Sequence, residues 1–283
     1  MESSPRRRVT LLNYADDRFG HKGAIFKRAQ QAMSASAPAH GIDSIVSWNW
    51  EMLADTDFYR EHRAYLDRPY HLNGFVFKPY ITLRTLKNLH EGDILIYYDS
   101  GEGSHVFDTS VQPLVEMCVT NGGTLIHQWG EMNAKWCKRD CFYYMGLDEP
   151  QYHEATHLQA TWFVLEKNAF TVRFVEEYLR YTLDERVASY ENKRLCGLPD
   201  LPGFVENRGD QSVLSLLAHK HRLRTFAGAG GNANRVIGNF IRWYTLRGRC
   251  QILTRRSLEW VKRKWQGLIT RPKILRCIVG AAV

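Results

Sequence analysis

The chain predicts an α/β domain built on a mixed, mostly parallel sheet flanked by helices, followed by a basic helical tail. Three observations carry this. The opening reads strand, helix, strand, the order of a parallel βαβ unit. The run Ile94-Leu95-Ile96-Tyr97-Tyr98 is short, apolar and rich in strand formers, as a strand covered on both faces reads. Charge is divided along the chain: from Val236 onward eleven Lys/Arg face one acidic residue, Glu259, so that stretch carries +10 and the remainder −2 of the net +8. The domain is expected over 1–235 and the tail over 236–283.

A chain of 283 residues, 44% hydrophobic and 24% charged, can bury a core of ordinary size, and this balance excludes disorder over most of its length.

The elements follow in order. Val9 to Tyr14 is a first strand, Ala15 to Gly23 a polar turn, and Ala24 to Ala37 a helix stopped near Pro38. Ile42 to Ser47 is a second strand, and Trp48 to Leu66 a peripheral helix. Asn73 to Tyr80 is a loop leading into a helix over Ile81 to Leu89, with Pro79 where proline is tolerated. The strand that ends at Asp99 comes next. Val111 to Thr120 is a helix closed by Asn121-Gly122-Gly123, and Thr124 to Gln128 a strand. Lys135 to Tyr144 is short and mixed, and His157 to Leu165 alternates like a strand. Asn168 to Tyr181 has helical spacing, Glu191 to Glu206 is irregular, and Asp210 to His219 is a helix. Gly228 to Asn232 links to the tail, where Leu258, Val261, Trp265, Leu268 and Ile269 repeat at helical spacing among basic residues.

Six cysteines fit neither a compact disulfide framework nor paired CxxC zinc spacing, which points to a reducing compartment. No leader-like or membrane-spanning apolar stretch is read from the sequence. The expectation is a cytoplasmic protein, peripheral on the inner membrane face if the tail binds there. A basic amphipathic helix with Trp suits an anionic membrane surface. The alternative is a helix docked on its own domain.

Several residue groups could carry chemistry. Asp99 stands at the carboxyl end of a buried strand, where open α/β sheets bind ligands. It either caps the following loop or helps hold a hard cation on a diphosphate. Lys78, before a helix, is a phosphate contact or a surface lysine. Asp210 begins a helix, as a cap or as a carboxylate that accepts a proton. Lys135-Trp136-Cys137-Lys138-Arg139-Asp140 is a diphosphate or sugar contact, or a solvated charged face. The histidines match no zinc spacing, with His221 a conceivable late metal ligand, and the Gly228–Gly231 run is a hinge rather than a dinucleotide fingerprint.

In this order the motifs resemble a family of glycosyltransferases with the GT-A fold, a Rossmann-related sheet, found in bacterial and viral surface-glycan gene sets. Asn73-Gly74-Phe75-Val76-Phe77-Lys78-Pro79-Tyr80 is similar to the family's aromatic-Lys-Pro loop. Gly92-Asp93-Ile94-Leu95-Ile96-Tyr97-Tyr98-Asp99-Ser100-Gly101 resembles its Asp-x-Asp strand. Arg208-Gly209-Asp210-Gln211-Ser212 resembles its His-Asp-Gln-Ser segment, and Lys138-Arg139-Asp140 a shared Lys-Arg-Asp. The resemblance implies transfer of a sugar from a nucleoside-diphosphate sugar to a glycan or glycolipid acceptor. Asp99 would hold Mn²⁺ or Mg²⁺. Asn13 and Tyr14 would lie by the base, and Lys78, Tyr98 and Arg139 on the donor. Asp140, Arg208 and Gln211 would lie on the acceptor side, and Asp210 would be the catalytic carboxylate. The chain departs from the pattern at Tyr97, which replaces the first Asp, and at Gly209, which stands where many relatives have His.

Two other functions compete. A sugar-phosphate nucleotidyltransferase would carry a glycine-rich triphosphate loop after the first strand, but only Gly20 and Gly23 are present there. A nucleic-acid-binding protein would act through the tail, and the −2 balance of the main domain argues against a wider footprint.

Overall fold

The seven residues Val9–Ala15 are buried along their whole length, so this strand, β1, has to be covered on both faces and paired on both edges. The computed structural model describes residues 6–247 apart from 20, 69–72, 102–105 and 229–234. By their contacts the residues fall into two units, Met1–Ile241 and Arg242–Val283.

In the first unit β1 is followed by α1 (His21–Ser36), β2 (Ser44–Asn49), α2 (Trp50–Ala54), α3 (Asp57–Leu66), α4 (Phe77–Lys87) and β3 (Ile94–Tyr98). Then come α5 (Gln112–Thr120), β4 (Thr124–Leu125), β5 (Gln128–Met132), α6 (Asn133–Trp136), α7 (Arg139–Tyr144), α8 (Pro150–His153), β6 (Thr156–Leu158) and β7 (Trp162–Glu166). The last are α9 (Ala169–Leu183), α10 (Glu185–Ala188) and α11 (Asp210–Lys220). The main sheet runs β2-β1-β3-β7-β4, and β5 pairs with β6 in a second, two-stranded sheet.

β1 pairs in parallel with β2 on one side and β3 on the other. β7 is antiparallel to both β3 and β4, so it alone runs against the other four. The sheet is therefore mixed and mostly parallel, flanked by helices, as the sequence predicts. The chain leaves β1 for β2 on one side and later returns to place β3 on the other. The β1–β3 boundary is thus the topological switch point, where open α/β sheets hold their ligands.

Among the boundaries that differ from the sequence reading, four have a clear local reason. The expected helix over Trp48–Leu66 is two helices, because Asn49 caps one by accepting from Met52 N (2.8 Å) and Thr56 caps the next by accepting from Tyr59 N (3.1 Å). The helix expected from Ile81 starts at Phe77, with Lys78 and Pro79 buried in its first turn. The Thr124–Gln128 strand is divided between the sheets, and Phe226 inserts there, donating to Ile126 O and accepting from Gln128 N (both 3.0 Å). His157–Leu165 also divides, into β6 and β7. The bend at Gln159–Thr161 turns two carbonyls toward other partners, Ala160 O to Lys78 Nζ and Thr161 O to Asp99 N.

The first unit reaches past residue 235. Ile237, Phe240 and Ile241 are buried, and the Phe240 ring packs edge-on to Trp162 at 5.0 Å. In the second unit residues 242–247 are helical, with Arg247 over the Trp243 ring. The tail's Leu258–Ile269 pattern lies outside the described residues. No helix among the described residues is long and apolar enough to cross a membrane.

Candidate active site

A cleft of about 660 Å³ opens at the switch point. Tyr14 and Asp16 at the end of β1 and Tyr97 and Asp99 at the end of β3 form part of its wall, and the Ala160–Thr161 bend before β7 adds another part. This size is typical of a small-molecule site.

Three segments far apart in sequence converge on its floor. Lys78 is only 4% exposed, and its ammonium lies 2.8 Å from Asp210 Oδ2 and 3.2 Å from Asp99 Oδ1, and donates to Ala160 O at 3.0 Å. The ammonium thus makes two ion pairs and one hydrogen bond within the protein. Tyr97 Oη donates to Asp99 Oδ1 (2.6 Å), and Tyr178 Oη donates to Asp210 Oδ2 (3.1 Å). Burial would push the Lys78 ammonium down, but the Asp210 and Asp99 carboxylates outweigh it and hold it above the ordinary lysine value. Burial lifts the Asp210 carboxyl, opposed by Lys78. Both tyrosines are pushed well up by burial and the nearby carboxylates, so they remain donors.

The backbone places Asp210 through two glycines. Gly74 (φ 59) and Gly209 (φ 56) occupy left-handed conformations, and Asp210 N donates to Gly74 O at 3.1 Å. The carboxylate therefore heads α11 directly beside the loop that carries Lys78. Its two side-chain partners both fall on Oδ2, and among the described residues Oδ1 takes no hydrogen bond.

Aromatic rings form much of the wall. Tyr14 stacks on Phe77 at 4.1 Å between ring centres, and Phe75 stands edge-on to Tyr190. Trp129 stacks on Trp136, and the Arg208 guanidinium lies over both rings while pairing with Glu206 at 2.8 Å. The Gln211 amide nitrogen, also at the cleft, is buried without a hydrogen-bond partner among the described residues. Lys22 and Arg235 are exposed at the cleft, and neither forms an ion pair with another described residue.

The structure thus brings Tyr14, Lys78, Asp99, Arg208, Asp210 and Gln211 to one cavity. Four other expected site residues lie elsewhere. Asn13 is fully buried, its amide donating to Ser34 Oγ at 3.2 Å, because alternate residues of β1 face the α1 side. Tyr98 points away from the cleft in the same manner, toward Ile237 N and the Phe107 ring. Arg139 is held by Asp148 at 2.9 Å. Asp140 accepts from the backbone N–H groups of Leu195 (3.1 Å) and Cys196 (2.8 Å).

Lys138-Arg139-Asp140 is a clamp on the irregular segment after α10. Lys138 Nζ donates to Ser189 O and Glu191 O, and Arg139 N donates to Asp200 Oδ1. That segment presents Tyr190 to the cleft. Of the residues that sequence reasoning passed over, Trp129, Tyr190, Lys22 and Arg235 line the same cavity. Aromatic content was the only available hint to the first two. His221 pairs with Glu177 Oε2 (2.6 Å) and is not a cleft residue.

Among the described residues the donor set does not fit a divalent ion held by the protein. Among the described residues no group of three His, Cys, Asp or Glu side chains could hold one. Hard cations take six or more oxygens. Asp99 offers a single carboxylate whose Oδ1 already receives Tyr97 and Lys78, and the position shared between Asp99 and Asp210 is filled by an ammonium.

No protein-family description and no curated protein matches the chain. Among solved structures, mouse xyloside xylosyltransferase 1 in its apo form is similar at 9% identity, over 78% of this chain and 84% of that one, with a TM-score of 0.42. The galactosyltransferase LgtC, in complex with donor and acceptor sugar analogs, is similar at 11% identity over 77% and 73%, TM-score 0.36. A 4-diphosphocytidyl-2C-methyl-D-erythritol synthase from Anaerococcus prevotii is similar at 12% identity over 76% and 99%, TM-score 0.32. None of these likenesses carries a functional assignment.

Proposed function

We propose that the chain is a glycosyltransferase that moves a sugar from a nucleoside-diphosphate sugar to a glycan or glycolipid acceptor. One observation carries the reading. A carboxylate pair on a shared ammonium, Asp210–Lys78–Asp99, forms the floor of a switch-point cleft walled by aromatic rings and edged by cations. Rings suit a nucleobase and sugar faces, cations suit a diphosphate, and a carboxylate with one uncommitted oxygen suits a hydroxyl nucleophile.

In this reading the acceptor hydroxyl oxygen bonds to the anomeric carbon while the bond from that carbon to the diphosphate oxygen breaks. The electron pair leaves with the diphosphate, and the hydroxyl proton passes to Asp210 Oδ1. Lys78 keeps Asp210 and Asp99 at fixed separation, Tyr178 orients Asp210, and Tyr97 orients Asp99. Arg208 and Gln211 present donors toward the acceptor side, and Tyr14 with Phe77 offers a stacked pair for the base. The basic tail adds a membrane surface on which a glycolipid acceptor would be met, from the cytoplasmic side.

A thermal-shift screen tests the reading. UDP-, GDP- and dTDP-sugars are compared with a CMP-sugar, which carries one phosphate. A rise in melting temperature with a nucleoside-diphosphate sugar is expected by linkage. No rise with any of them sinks the proposal.

A further inference from the structure

We propose that Lys78 takes the place of a divalent metal ion in this cleft, so that the protein binds its nucleoside diphosphate through side-chain cations and without Mn²⁺ or Mg²⁺. The inference rests on the transferase reading above and concerns how that site handles charge.

Geometry is the first ground. In a metal-assisted site two carboxylates draw together because a dication lies between them. Here Asp99 and Asp210 share a cation that is covalently part of the chain, at 3.2 Å and 2.8 Å. The ammonium cannot swing out to make room. It is 4% exposed, its third donor is fixed on Ala160 O, its stem enters from the first turn of α4, and the Tyr97 ring centre lies 5.2 Å from its nitrogen. A second cation placed between the carboxylates would meet that charge at contact distance in a poorly hydrated setting.

The sequence supplies the second ground. Where a metal-binding Asp-x-Asp would present its first carboxylate, the chain has Tyr97, fully buried and donating its hydroxyl to Asp99. That substitution removes a ligand and also adds a donor to the remaining one. It satisfies Asp99 from within the protein.

Charge at the mouth is the third ground. A departing diphosphate still needs positive partners. Lys22, from the first turn of α1, and Arg235 reach the same cavity exposed and without carboxylate partners among the described residues. These side chains can do the neutralising that a metal would otherwise do.

The experiment uses the full chain. Binding of UDP, GDP and dTDP is measured by calorimetry in EDTA and in Mn²⁺, and Mn²⁺ binding alone is followed by its EPR signal. The inference expects nucleotide affinity in EDTA within about twofold of that in Mn²⁺, no stoichiometric Mn²⁺ uptake by the wild type, and an Arg235→Ala or Lys22→Ala loss of about tenfold in nucleotide affinity. A gain of tenfold or more on adding Mn²⁺, or stoichiometric uptake of Mn²⁺ alone, overturns it while leaving the transferase reading intact. Absence of nucleotide binding in both buffers overturns the reading itself and the inference with it. Lys78→Met should, by freeing the two carboxylates, acquire Mn²⁺ binding that the wild type lacks. Should that variant not fold, the wild-type measurements decide.

Discussion

A Cβ placed on Gly209 would stand 2.7 Å from Cε2 of Tyr190 and 3.2 Å from the carbonyl oxygen of Gly74. The Tyr190 ring therefore occupies the room a side chain at 209 would need, and the backbone there (φ 56, ψ −121) disfavours any residue with a Cβ. A side chain as large as histidine at this place would meet the Tyr190 ring and the Gly74 carbonyl. Gly209→Ala should destabilise the fold by about 1–3 kcal/mol. Tyr190→Ala in the same chain should recover only the contact part of the loss. Urea unfolding measures both, and wild-type stability in Gly209→Ala would count against this account.

Asp210→Asn keeps the shape and the Tyr178 contact but removes the proton acceptor. Turnover should fall by about 10²–10⁴-fold, the usual contribution of a positioned base, with donor affinity changed only a few-fold. Steady-state transfer assays with direct donor titration separate the two. Parallel losses in both would reassign Asp210 to binding.

Lys138 is the buried end of the clamp on Ser189 and Glu191. Lys138→Met should take the lysine donor from both carbonyls, leaving Ser189 O with the Asn207 amide alone, and destabilise the chain by about 1–3 kcal/mol. It should also raise the KM for substrate through disorder of Tyr190 more than it lowers kcat. Hydrogen exchange over residues 187–200 would report the loosening. Unchanged protection there would show that the clamp is dispensable.

His157 is buried with Cys137 and Asn133, its Nδ1 2.9 Å from Asn133 Oδ1, and burial lowers its pKa from 6.5 to about 3. In the unfolded chain it takes up a proton near its ordinary value, whereas in the folded chain it does not until about pH 3. Between those values the unfolded state binds the extra proton, so stability rises with pH and falls as the solution is acidified. At pH 5 the loss should be about 2 kcal/mol relative to neutral pH. His157→Gln should flatten that part of the pH–stability curve. An unaltered slope would assign the acid sensitivity to other groups.

For the basic tail, the informative truncation comes after Arg247 and not at Val236, because Ile237, Phe240 and Ile241 belong to the core of the first unit. The full chain should float with vesicles containing anionic lipid, and float less as salt rises. Chains ending at Arg247 should stay in the soluble fraction. Salt-dependent RNA binding by the full chain, with no flotation, would favour the nucleic-acid reading.

The parts of the fold that were legible in the sequence are those with a strong local signal. β1, β3 and α11 announce themselves through continuous apolar runs or helical spacing, and strand–helix–strand order sets the parallel pairing of β1 with β2. Asp99 and Asp210 were identifiable because a strand end and a helix start are recognisable places. What stayed hidden depends on partners far along the chain. Nothing near Lys78 shows that its ammonium turns inward to residues 99, 160 and 210, and nothing near Asp140 shows that two backbone amides at 195 and 196 will claim it. Alternation along β1 and β3 assigns Tyr14 and Tyr97 to the cleft and Asn13 and Tyr98 away from it, but only once the sheet's facing is known. Trp129 and Tyr190 come from a side sheet and an irregular segment whose positions no periodicity encodes.

The three-way contact among residues 78, 99 and 210 also has a bearing on how the molecule is made. During synthesis, Lys78 and Asp99 leave the ribosome long before Asp210, and until α11 arrives the lysine has one of its two countercharges. A nascent chain halted before that helix should hold the sheet without a closed floor beneath the cleft, so that competence would come only with the final third of translation. Arrest peptides placed before and after residue 220 would show whether the structure consolidates at that point.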